Sequence, residues 1–296
     1  MAKTKNNQPG QEITGTLGND KLQGTPGDDR LIGYFGNDQL HGAAGVDTAV
    51  FFGNPIAYVV DIDGKKADVS GPDGIDKATN IERLEFNWDG QSYVFDLEQD
   101  NNPPSAGNDR ISTDEDHLTT ANLADLLAND VDLDGGSIVF DSLDDSATVG
   151  TVSRQGDQII YDPNGQFEAL AAGELGADSF NYRIEDGQGG STDGNVSVDL
   201  MGVNDAPVAD DLAIEAVEDG DAVTASFVAD DIDSDDDLAS LSYTVTSQPS
   251  EGSVVNNNDG TFSFNPGDGF QDLNDGETRD VSFTYTATDR HSAVSD

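Results

Sequence analysis

Apolar residues recur along this chain in short alternating runs rather than at helical spacing. Apolar and polar side chains alternate in segments 58–62, 93–97, 178–184 and 281–288, and a period of two is the pattern of a half-buried strand. Turn signals rich in glycine and aspartate separate such runs roughly every eight to twelve residues. Helix-favouring composition occurs near 121–127 (ANLADLL), where it allows a turn or two of helix. The pattern therefore predicts an all-β protein.

A different period, of nine residues, organises segment 15–50. Its four units read GTLGNDKLQ, GTPGDDRLI, GYFGNDQLH and GAAGVDTAV. Glycine opens every unit and returns at the fourth place, where its tolerance of positive φ angles suits a tight turn. The eighth place is apolar throughout, and Ile13 fits the same register one unit earlier. Each unit is interpreted as a six-residue turn followed by a three-residue strand whose apolar side chain points inward.

The sixth place of every unit is an aspartate. The pattern G-x-x-G-x-D-x-U-x resembles the RTX calcium-binding nonapeptide repeat, which forms a parallel β-roll. Two units make one coil, so residues 18 apart stack, with Asp20 over Asp38 and Asp29 over Asp47. Stacked strands lie about 4.8 Å apart, and calcium binds oxygen at about 2.4 Å. A calcium ion bridging two stacked carboxylates therefore fits the spacing.

The fifth place adds oxygen atoms in three units, whereas Val46 interrupts it in the last. The predicted calcium ligands of the roll are Asn19, Asp20, Asp28, Asp29, Asn37, Asp38 and Asp47. Without metal, carboxylates about 4 Å apart repel by roughly 4 kcal/mol at an effective dielectric near 20. We therefore expect segment 13–50 to be disordered without calcium. The alternative is a solvated Gly/Asp-rich loop, but four consecutive units in register argue against it.

Composition also favours cations as partners. The 296 residues include 59 acidic and 13 basic side chains, for a net charge of −46. This excess argues against nucleic acid and anionic membrane as partners. Cysteine is absent, so disulfides do not support the fold, and metal is the usual replacement in an extracellular protein.

The chain carries no evident targeting or membrane-spanning segment. No stretch is apolar enough to span a membrane, and the first ten residues, MAKTKNNQPG, lack the hydrophobic region of a secretory signal. Calcium sites this weakly caged need the roughly millimolar calcium found outside cells. We therefore expect an extracellular or cell-surface protein that is exported without an N-terminal signal peptide.

Segment 51–100 is predicted to cap the roll. A coil that ends openly exposes strand edges that need covering, and alternation with turn signals predicts strands here. The stretch GIDKATNIERLEF (74–86) resembles the cap that follows such repeats in RTX proteins. Trp88 is interpreted as a packing residue rather than a ligand-binding one.

The rest of the chain contains a longer repeat. An offset of 103 relates Phe180 to Phe283 and Tyr182 to Tyr285, and an offset of 101 relates the acidic loops 129–134 and 230–235. These are two copies of one module, and their short strands predict two tandem β-sandwiches of the cadherin-like/Ig-like kind. The copies resemble the cadherin-like and VCBS-type repeats of large bacterial surface proteins. The motifs that carry this resemblance are TDED (113–116), DLLANDVDLDG (125–135), YDPNGQF (161–167), DSFNYRIEDGQGG (178–190) and VNDAPVADD (203–211).

The cadherin-like resemblance implies calcium between modules. The ligands it implies at the first junction are Asp100, Asn102, Asp132, Asp134 and Asp186. Those it implies at the second junction are Glu115, Asp178, Asn204, Asp205, Asp231, Asp233 and Asp289. Calcium takes six to eight oxygen ligands, and gathering them from two modules and a linker would turn a hinge into a rod. Ala206 departs from the cadherin linker pattern, which leaves the ion count open. The alternative is that these loops are only solvated turns.

The predicted organisation has five parts. They are a flexible N-terminal arm (1–12), the roll (13–50), the β cap (51–100), a first sandwich (101–203) and an incomplete second sandwich (204–296). The second sandwich lacks a counterpart of 195–201, its final strand. Truncation of a longer protein is the favoured explanation, and strand donation by another molecule is the alternative. The arm is a poor donor because it is polar and contains Pro9.

Catalytic motifs are not evident. The three histidines lie in different modules without metal-binding spacing, and no nucleotide-binding or nucleophile-elbow motif occurs. Counting carboxylates does not exclude a glycosidase pair, but only one tryptophan is available to wall a cleft. We therefore expect a non-enzymatic protein.

The expected function is mechanical. The chain is interpreted as a segment of a calcium-stiffened bacterial surface or matrix protein. Its expected partners are other copies or modules of the same protein, with a cell-surface or matrix ligand as a further candidate. The alternatives are a self-assembling filament subunit joined by strand donation and the noncatalytic tail of a secreted hydrolase.

Overall fold

The computed structural model describes residues 9–295, and its regular elements are nearly all strands. The all-β prediction is confirmed. Most of the predicted arm 1–12 lies outside the described residues, and β1 begins at Glu12. Within 9–295, no helix is both long and apolar enough to cross a membrane.

The roll and its cap contain ten strands and one short 3-10 helix, Pro55–Ala57. The strands are β1 (Glu12–Thr14), β2 (Lys21–Gln23), β3 (Arg30–Ile32), β4 (Gln39–His41), β5 (Thr48–Phe52), β6 (Val59–Ile62), β7 (Lys66–Gly71), β8 (Gly74–Thr79), β9 (Arg83–Trp88) and β10 (Gln91–Asp96). They form two sheets, ordered β1-β3-β5-β9-β10 and β2-β4-β8-β7-β6.

Consecutive nonapeptide units alternate between these two sheets. Leu31 pairs in parallel with Ile13 on one side and Ala49 on the other, while Leu22 pairs with Leu40. The predicted stacking of residues 18 apart is thereby confirmed. The eighth-place side chains point inward because successive strand residues face opposite sides of a sheet.

The parallel stacking continues beyond the four units. Strand β8 pairs in parallel with β4, and β9 with β5. The antiparallel strands β6, β7 and β10 then cover the outer edges. Leu31, Leu40 and Ala49 of the roll belong to the same buried cluster as Phe51 and Phe86 of the cap segment. Segment 51–100 therefore completes the coil and its core as well as closing it.

Trp88 does not pack as the sequence analysis expected. It lies at the end of β9, opposite Gln91 of the β9–β10 hairpin, and 48% of its surface is exposed. Trp88 shares its strand face with Leu84 and Phe86, but it lies at the end of β9, beyond the buried cluster that those two residues enter.

The first sandwich contains seven strands and the single-turn helix α1 (Leu123–Leu126), which lies within segment 121–127, where the sequence allowed a turn of helix. The 3-10 helix Leu127–Asn129 begins at the end of that segment and runs two residues past it. The strands are β11 (Asn108–Asp114), β12 (Thr119–Asn122), β13 (Val139–Asp144), β14 (Thr151–Gln155), β15 (Gln158–Asp162), β16 (Leu175–Glu185) and β17 (Ser191–Met201). One sheet has the order β11-β17-β16-β13 and the other β12-β15-β14. Tyr161, Phe180 and Val196 lie in the core that they share.

The second sandwich repeats this plan. Its strands are β18 (Val208–Ala209), β19 (Val223–Ser226), β20 (Ala229–Asp230), β21 (Ser242–Ser247), β22 (Ser253–Asn256), β23 (Thr261–Asn265) and β24 (Thr284–Thr288). The sheet β19-β23-β22 corresponds to β12-β15-β14, and β21-β24 corresponds to β13-β16. Phe227, Phe262 and Phe264 form the centre of its core. In the part of the chain described, no strand beside β24 takes the place that β17 occupies beside β16.

Tyr182 joins the buried carboxyl group of Asp130 and the half-buried carboxyl group of Asp109 in the first sandwich. Its hydroxyl lies 2.9 Å from Oδ2 of Asp109 and 3.0 Å from Oδ1 of Asp130. Burial raises the pKa of each carboxyl group to about 6, and the hydrogen bonds with Tyr182 partly oppose that rise. The hydroxyl therefore stabilises the ionised form of both groups.

We expect Tyr182→Phe to lower the free energy of unfolding by about 2 kcal/mol near neutral pH, since hydrogen bonds to charged groups contribute about 1.5–3 kcal/mol. Without the hydroxyl both pKa values rise further, so the folded carboxyl groups keep their protons to higher pH than the unfolded ones. The stability lost should therefore be larger near pH 7 than near pH 4. Urea denaturation at constant calcium measures this.

Tyr243→Phe is the matched control, because the Tyr243 hydroxyl has no hydrogen-bond partner within residues 9–295. It should change stability by less than about 0.5 kcal/mol. Equal stability of Tyr182→Phe and the wild type at both pH values would contradict the assigned role of the hydroxyl.

Candidate metal centres in the roll and at two junctions

The sixth-place aspartates form two ladders along the roll. The backbone N–H of Asp20 donates to Oδ1 of Asp38 at 2.7 Å, and that of Asp29 donates to Oδ1 of Asp47 at 2.8 Å. Each carboxylate is therefore held by the coil below it. The structure brings together both of the aspartate pairs that the 18-residue spacing predicts.

The second carboxylate oxygen of each aspartate points into its own turn. Oδ2 of Asp20 accepts from the backbone N–H of Thr16 at 2.6 Å. By contrast, Oδ2 of Asp38 and Oδ2 of Asp47 are buried without a hydrogen-bond partner among the described residues. These two side chains are 1% and 0% exposed. A buried carboxylate oxygen without a partner is costly, and a bound cation would supply the missing interaction.

The electrostatics of Asp47 agree with a cation site. Burial raises the pKa of Asp47 to about 6, against the lowering effect of the Asp29 N–H. The nearby carboxylates of Glu82, Asp29 and Asp28 raise it further. Calcium prefers carboxylate oxygen ligands, and its charge would favour the ionised form of all four groups. The donor set of the roll therefore fits calcium.

The fifth-place side chains bind the next coil through one oxygen each. Oδ1 of Asn19 accepts from the N–H of Asn37 at 2.9 Å, and Oδ1 of Asp28 accepts from Val46 at 2.8 Å. Oδ1 of Asn37 accepts from Ile75 at 2.9 Å. Asp28 keeps a second carboxylate oxygen for a cation, whereas each asparagine has the same single oxygen to offer.

Two further members of the ladders, Asp76 and Glu82, do not follow from the 18-residue period. The N–H of Asp38 donates to Oδ1 of Asp76 at 2.7 Å, and the N–H of Asp47 donates to Oε2 of Glu82 at 2.7 Å. Burial and then the Asp38 carboxylate raise the pKa of Asp76 to about 6. The spacings of 38 and 35 residues break the 18-residue period, which is why the period did not reveal them.

At the first junction, four of the five predicted ligands lie together. The Asn102 side-chain amide donates to Oδ2 of Asp134 at 3.0 Å, and the Asp134 N–H donates to Oδ1 of Asp132 at 2.9 Å. Oδ2 of Asp132 is buried and lacks a partner in the described structure. Asp186 belongs to the same group, because its charge, like that of Asp134, raises the pKa of Asp132 after burial has done so.

Asn101, rather than the predicted ligand Asp100, reaches Asp186 at this junction. Asp100 is exposed, whereas Nδ2 of Asn101 donates to Oδ2 of Asp186 at 2.9 Å. Oδ1 of Asn101 is buried without a partner within 9–295. Asn101 is thus a candidate ligand that the sequence analysis did not select, although its counterpart at offset 103, Asn204, was selected.

The second junction has the densest cluster of carboxylates. Oxygen atoms of Glu115, Asp205 and Asp233 all lie within 4.8 Å of one another. Glu115 follows strand β11 of the first sandwich, Asp205 lies in the linker, and Asp233 lies in the second sandwich. One point in space therefore gathers acidic groups from both modules and from the linker between them.

Backbone N–H groups hold these side chains in place, but each bonds only one of the two oxygens of a carboxylate. The N–H of Val203 donates to Oε1 of Glu115 at 2.7 Å, the N–H of Asp205 donates to Oδ2 of Asp233 at 3.0 Å, and the N–H of Asp233 donates to Oδ1 of Asp231 at 3.0 Å. Four buried carboxylate oxygens of this junction have no hydrogen-bond partner among the described residues: Glu115 Oε2, Asp205 Oδ2, Asp231 Oδ2 and Asp233 Oδ1. Burial, followed by the charges of Asp231 and Asp205, raises the pKa of Asp233 to about 6. A divalent cation fits this cluster.

Asn204 and Asp289 repeat the Asn101–Asp186 pair of the first junction. Nδ2 of Asn204 donates to Oδ2 of Asp289 at 2.7 Å, and Oδ1 of Asn204 is buried without a partner in the part described. The N–H of Ala293 donates to Oδ1 of Asp289 at 2.8 Å. Both junctions therefore present a buried amide oxygen beside the acidic groups.

The structure does not bring Asp178 to this junction. Its Oδ2 accepts from the Tyr161 hydroxyl at 2.8 Å and from the Gly150 N–H at 2.9 Å. It therefore supports the first sandwich internally, because β16 carries it towards strands β14 and β15. Asp116 and Glu168, which the sequence analysis did not select, lie instead beside Asp205.

Family models match three parts of the chain. Residues 14–49 match the RTX calcium-binding nonapeptide repeat in four copies. Residues 101–199 match a bacterial Ig domain, and residues 204–296 match a bacterial cadherin-like domain. Both matches confirm the prediction of two cadherin-like/Ig-like β-sandwiches. No curated protein sequence matches the chain.

Solved structures similar to this chain include cadherin ectodomains. Human desmocollin-1 is 12% identical, with 82% of this chain and 48% of that chain covered and a TM-score of 0.39. Human mucin-like protocadherin EC1-2 is 20% identical, with 65% and 93% covered and a TM-score of 0.35. This chain thus spans about half the length of the desmocollin ectodomain.

The matched models agree with the metal geometry described above. RTX nonapeptide repeats and cadherin-like domains are calcium-binding, which makes calcium the cofactor of this chain. The matched types are structural repeats and Ig-like domains rather than enzyme families, and such repeats are typical of extracellular or secreted proteins. The chain therefore combines four RTX calcium-binding nonapeptide repeats with a bacterial Ig domain and a bacterial cadherin-like domain.

Proposed function

We propose that this chain is a calcium-rigidified rod segment of a bacterial surface or matrix protein, which works by spacing or adhesion rather than catalysis. The cluster of Glu115, Asp205 and Asp233 carries this proposal. A site built from two sandwiches and their linker is a device that makes their relative orientation depend on a cation.

The cation would supply charge compensation that the protein itself lacks here. Without it, the like charges of Glu115, Asp205 and Asp233 repel one another across the junction. With it, the same groups attract a common centre and hold three chain segments together. Calcium concentration would therefore control the stiffness of the junction.

A direct contact between the sandwiches adds to this effect. The N–H of Ser234 in the second sandwich donates to the carbonyl oxygen of Ala169 in the first at 3.0 Å. The Ser234 hydroxyl donates to Oε2 of Glu174 at 2.7 Å. These two hydrogen bonds need no cation. The first contributes only about 1 kcal/mol, and the second, to a charged carboxylate, about 1.5–3 kcal/mol. They favour one orientation without locking it.

Asp233→Asn tests the junction. The substitution keeps the shape of the side chain and removes one charge from the cluster. In calcium we expect the wild type to scatter X-rays as an extended rod. We expect Asp233→Asn to remain flexible at the junction and therefore to have a smaller radius of gyration than the wild type. Small-angle X-ray scattering of the whole chain, with calcium and with chelator, measures the difference.

Asp211→Asn is the matched control. Asp211 is exposed and lies in the same stretch of chain beyond the linker, so its loss of charge should leave the scattering unchanged. If Asp233→Asn and Asp211→Asn both behave like the wild type, the junction is not a calcium-dependent lock. If the wild type forms oligomers or polymers in calcium, the alternative of a self-assembling filament subunit is favoured instead.

The expected setting is the cell surface or the extracellular matrix. The partners proposed for the rod are other modules or copies of the same protein, with a cell-surface or matrix ligand at some point along it. Copies of this strongly negative chain repel one another, so their association would need cations between them.

A further inference from the structure

A fifth nonapeptide unit is hidden in the cap. Residues 71–79 read GPDGIDKAT. Glycine stands at the first and fourth places, aspartate at the sixth and an apolar alanine at the eighth, as in unit four. Residues 51–70, which include the 3-10 helix and β6, separate it from the four units upstream. The period is therefore interrupted along the chain.

In the folded structure this fifth unit stacks on the third unit as a regular repeat would. Ala78 pairs in parallel with Leu40, as Leu40 does with Leu22. The N–H of Asp38 donates to Asp76 at 2.7 Å, which repeats the 2.7 Å bond between Asp20 and Asp38. The N–H of Ile75 donates to the fifth-place Asn37 at 2.9 Å, as the regular repeat would have it.

The turn of this unit also has the geometry of a repeat. Gly74 has a φ of +147°, close to the +130° of Gly36 and the +144° of Gly45 at the same place. A Cβ atom on Gly74 would lie 1.6 Å from the carbonyl oxygen of Gly36, so no larger residue fits. The N–H of Gly36 donates to the carbonyl oxygen of Asp73 at 2.8 Å, which seats this turn on the one below.

The new turn brings an additional carboxylate. Asp73 stands at the third place of its unit, where the four regular units have Leu17, Pro26, Phe35 and Ala44. Oδ2 of Asp73 accepts from the Tyr58 hydroxyl at 2.9 Å. Its Oδ1 is buried without a partner among residues 9–295, as is Oδ2 of Asp38 in the coil beneath. Asp76, only 2% exposed, is the third acidic group of this turn.

We propose that Asp38, Asp73 and Asp76 bind a calcium ion at the boundary of the roll and the cap, with Asp73 and Asp76 lying outside the four matched repeats. The ion would fix the cap to the last regular coil. The site has one more carboxylate than the Asp20–Asp38 turn of the same ladder, so it should bind calcium more tightly than that turn. This inference does not depend on the proposed role of the two sandwich junctions.

The test measures the number of ions bound by the whole chain. We expect Asp73→Asn to bind one calcium ion fewer than the wild type in equilibrium dialysis. Asp76→Asn should do the same while its remaining oxygen still accepts from Asp38. Asp63→Asn is the matched control, since Asp63 is exposed in the turn before β7 and its variant should bind the full number.

Terbium gives a second readout at the same place. Tyr58 lies within hydrogen-bond distance of Asp73, so exciting tyrosine should sensitise terbium bound in this turn. We expect Asp73→Asn and Tyr58→Phe to lose a large share of that emission, and Asp63→Asn to keep it. Circular dichroism in calcium checks that the variants fold.

Two results would overturn the proposal. One is an unchanged ion count in both Asp73→Asn and Asp76→Asn. The other is terbium emission in Asp73→Asn and Tyr58→Phe equal to that of the Asp63→Asn control.

Discussion

Removing calcium with a chelator will unfold the roll while both sandwiches keep their cores. The buried carboxylates of Asp29 and Asp47 in one ladder, and of Asp38 and Asp76 in the other, would then lie together without compensation. The effective penalty for a buried ion is several kcal/mol. Against this, Leu31 and Leu40 each contribute roughly 1.5–3 kcal/mol by burial. The apolar interior of the roll is too small to offset the carboxylates.

Circular dichroism and small-angle scattering measure this outcome. We expect a loss of β signal corresponding to the parallel coils and a less extended average shape, both restored when calcium is added back. Magnesium should restore little, because it demands a smaller octahedral site and gives up its water reluctantly. Identical spectra and scattering with calcium and with chelator would show that the roll folds without the ion.

Replacing Phe86 by alanine will destabilise the roll and the cap together. Phe86 is fully buried, and its ring centroid lies 5.2 Å from that of Phe51 and 4.9 Å from that of Tyr58. Removing a buried phenylalanine side chain costs about 3–5 kcal/mol. Since Leu31 and Leu40 belong to the same core, we expect the variant to need more calcium to fold its roll.

Chemical denaturation in saturating calcium and a calcium titration followed by circular dichroism measure these two effects. Phe262→Ala is the matched control, because Phe262 is equally buried but lies in the second sandwich. It should destabilise that sandwich by a similar amount and leave the calcium titration of the roll unchanged. An unaltered calcium titration in Phe86→Ala would mean that the roll and the cap fold independently.

The sequence by itself determined the roll and the repetition of the sandwiches. A nine-residue unit restricts each place locally, since tight turns require glycine and the narrow interior requires one apolar side chain. Stacking of Asp20 on Asp38 follows from that local rule alone. The offset of 103 between Tyr182 and Tyr285 likewise reflects strand patterns that any copy of the module must keep.

Only the tertiary structure decided which carboxylates meet. Asp76 joins the ladder across an inserted hairpin that breaks the period, and Asn101 rather than Asp100 reaches Asp186. Asp178 accepts a hydrogen bond from the Tyr161 hydroxyl, although the resemblance to cadherin-like repeats implied that it was a ligand at the second junction. The physical reason is that a calcium site depends on oxygens converging in space, and this convergence depends on insertions, strand direction and competing hydrogen bonds that no local pattern records.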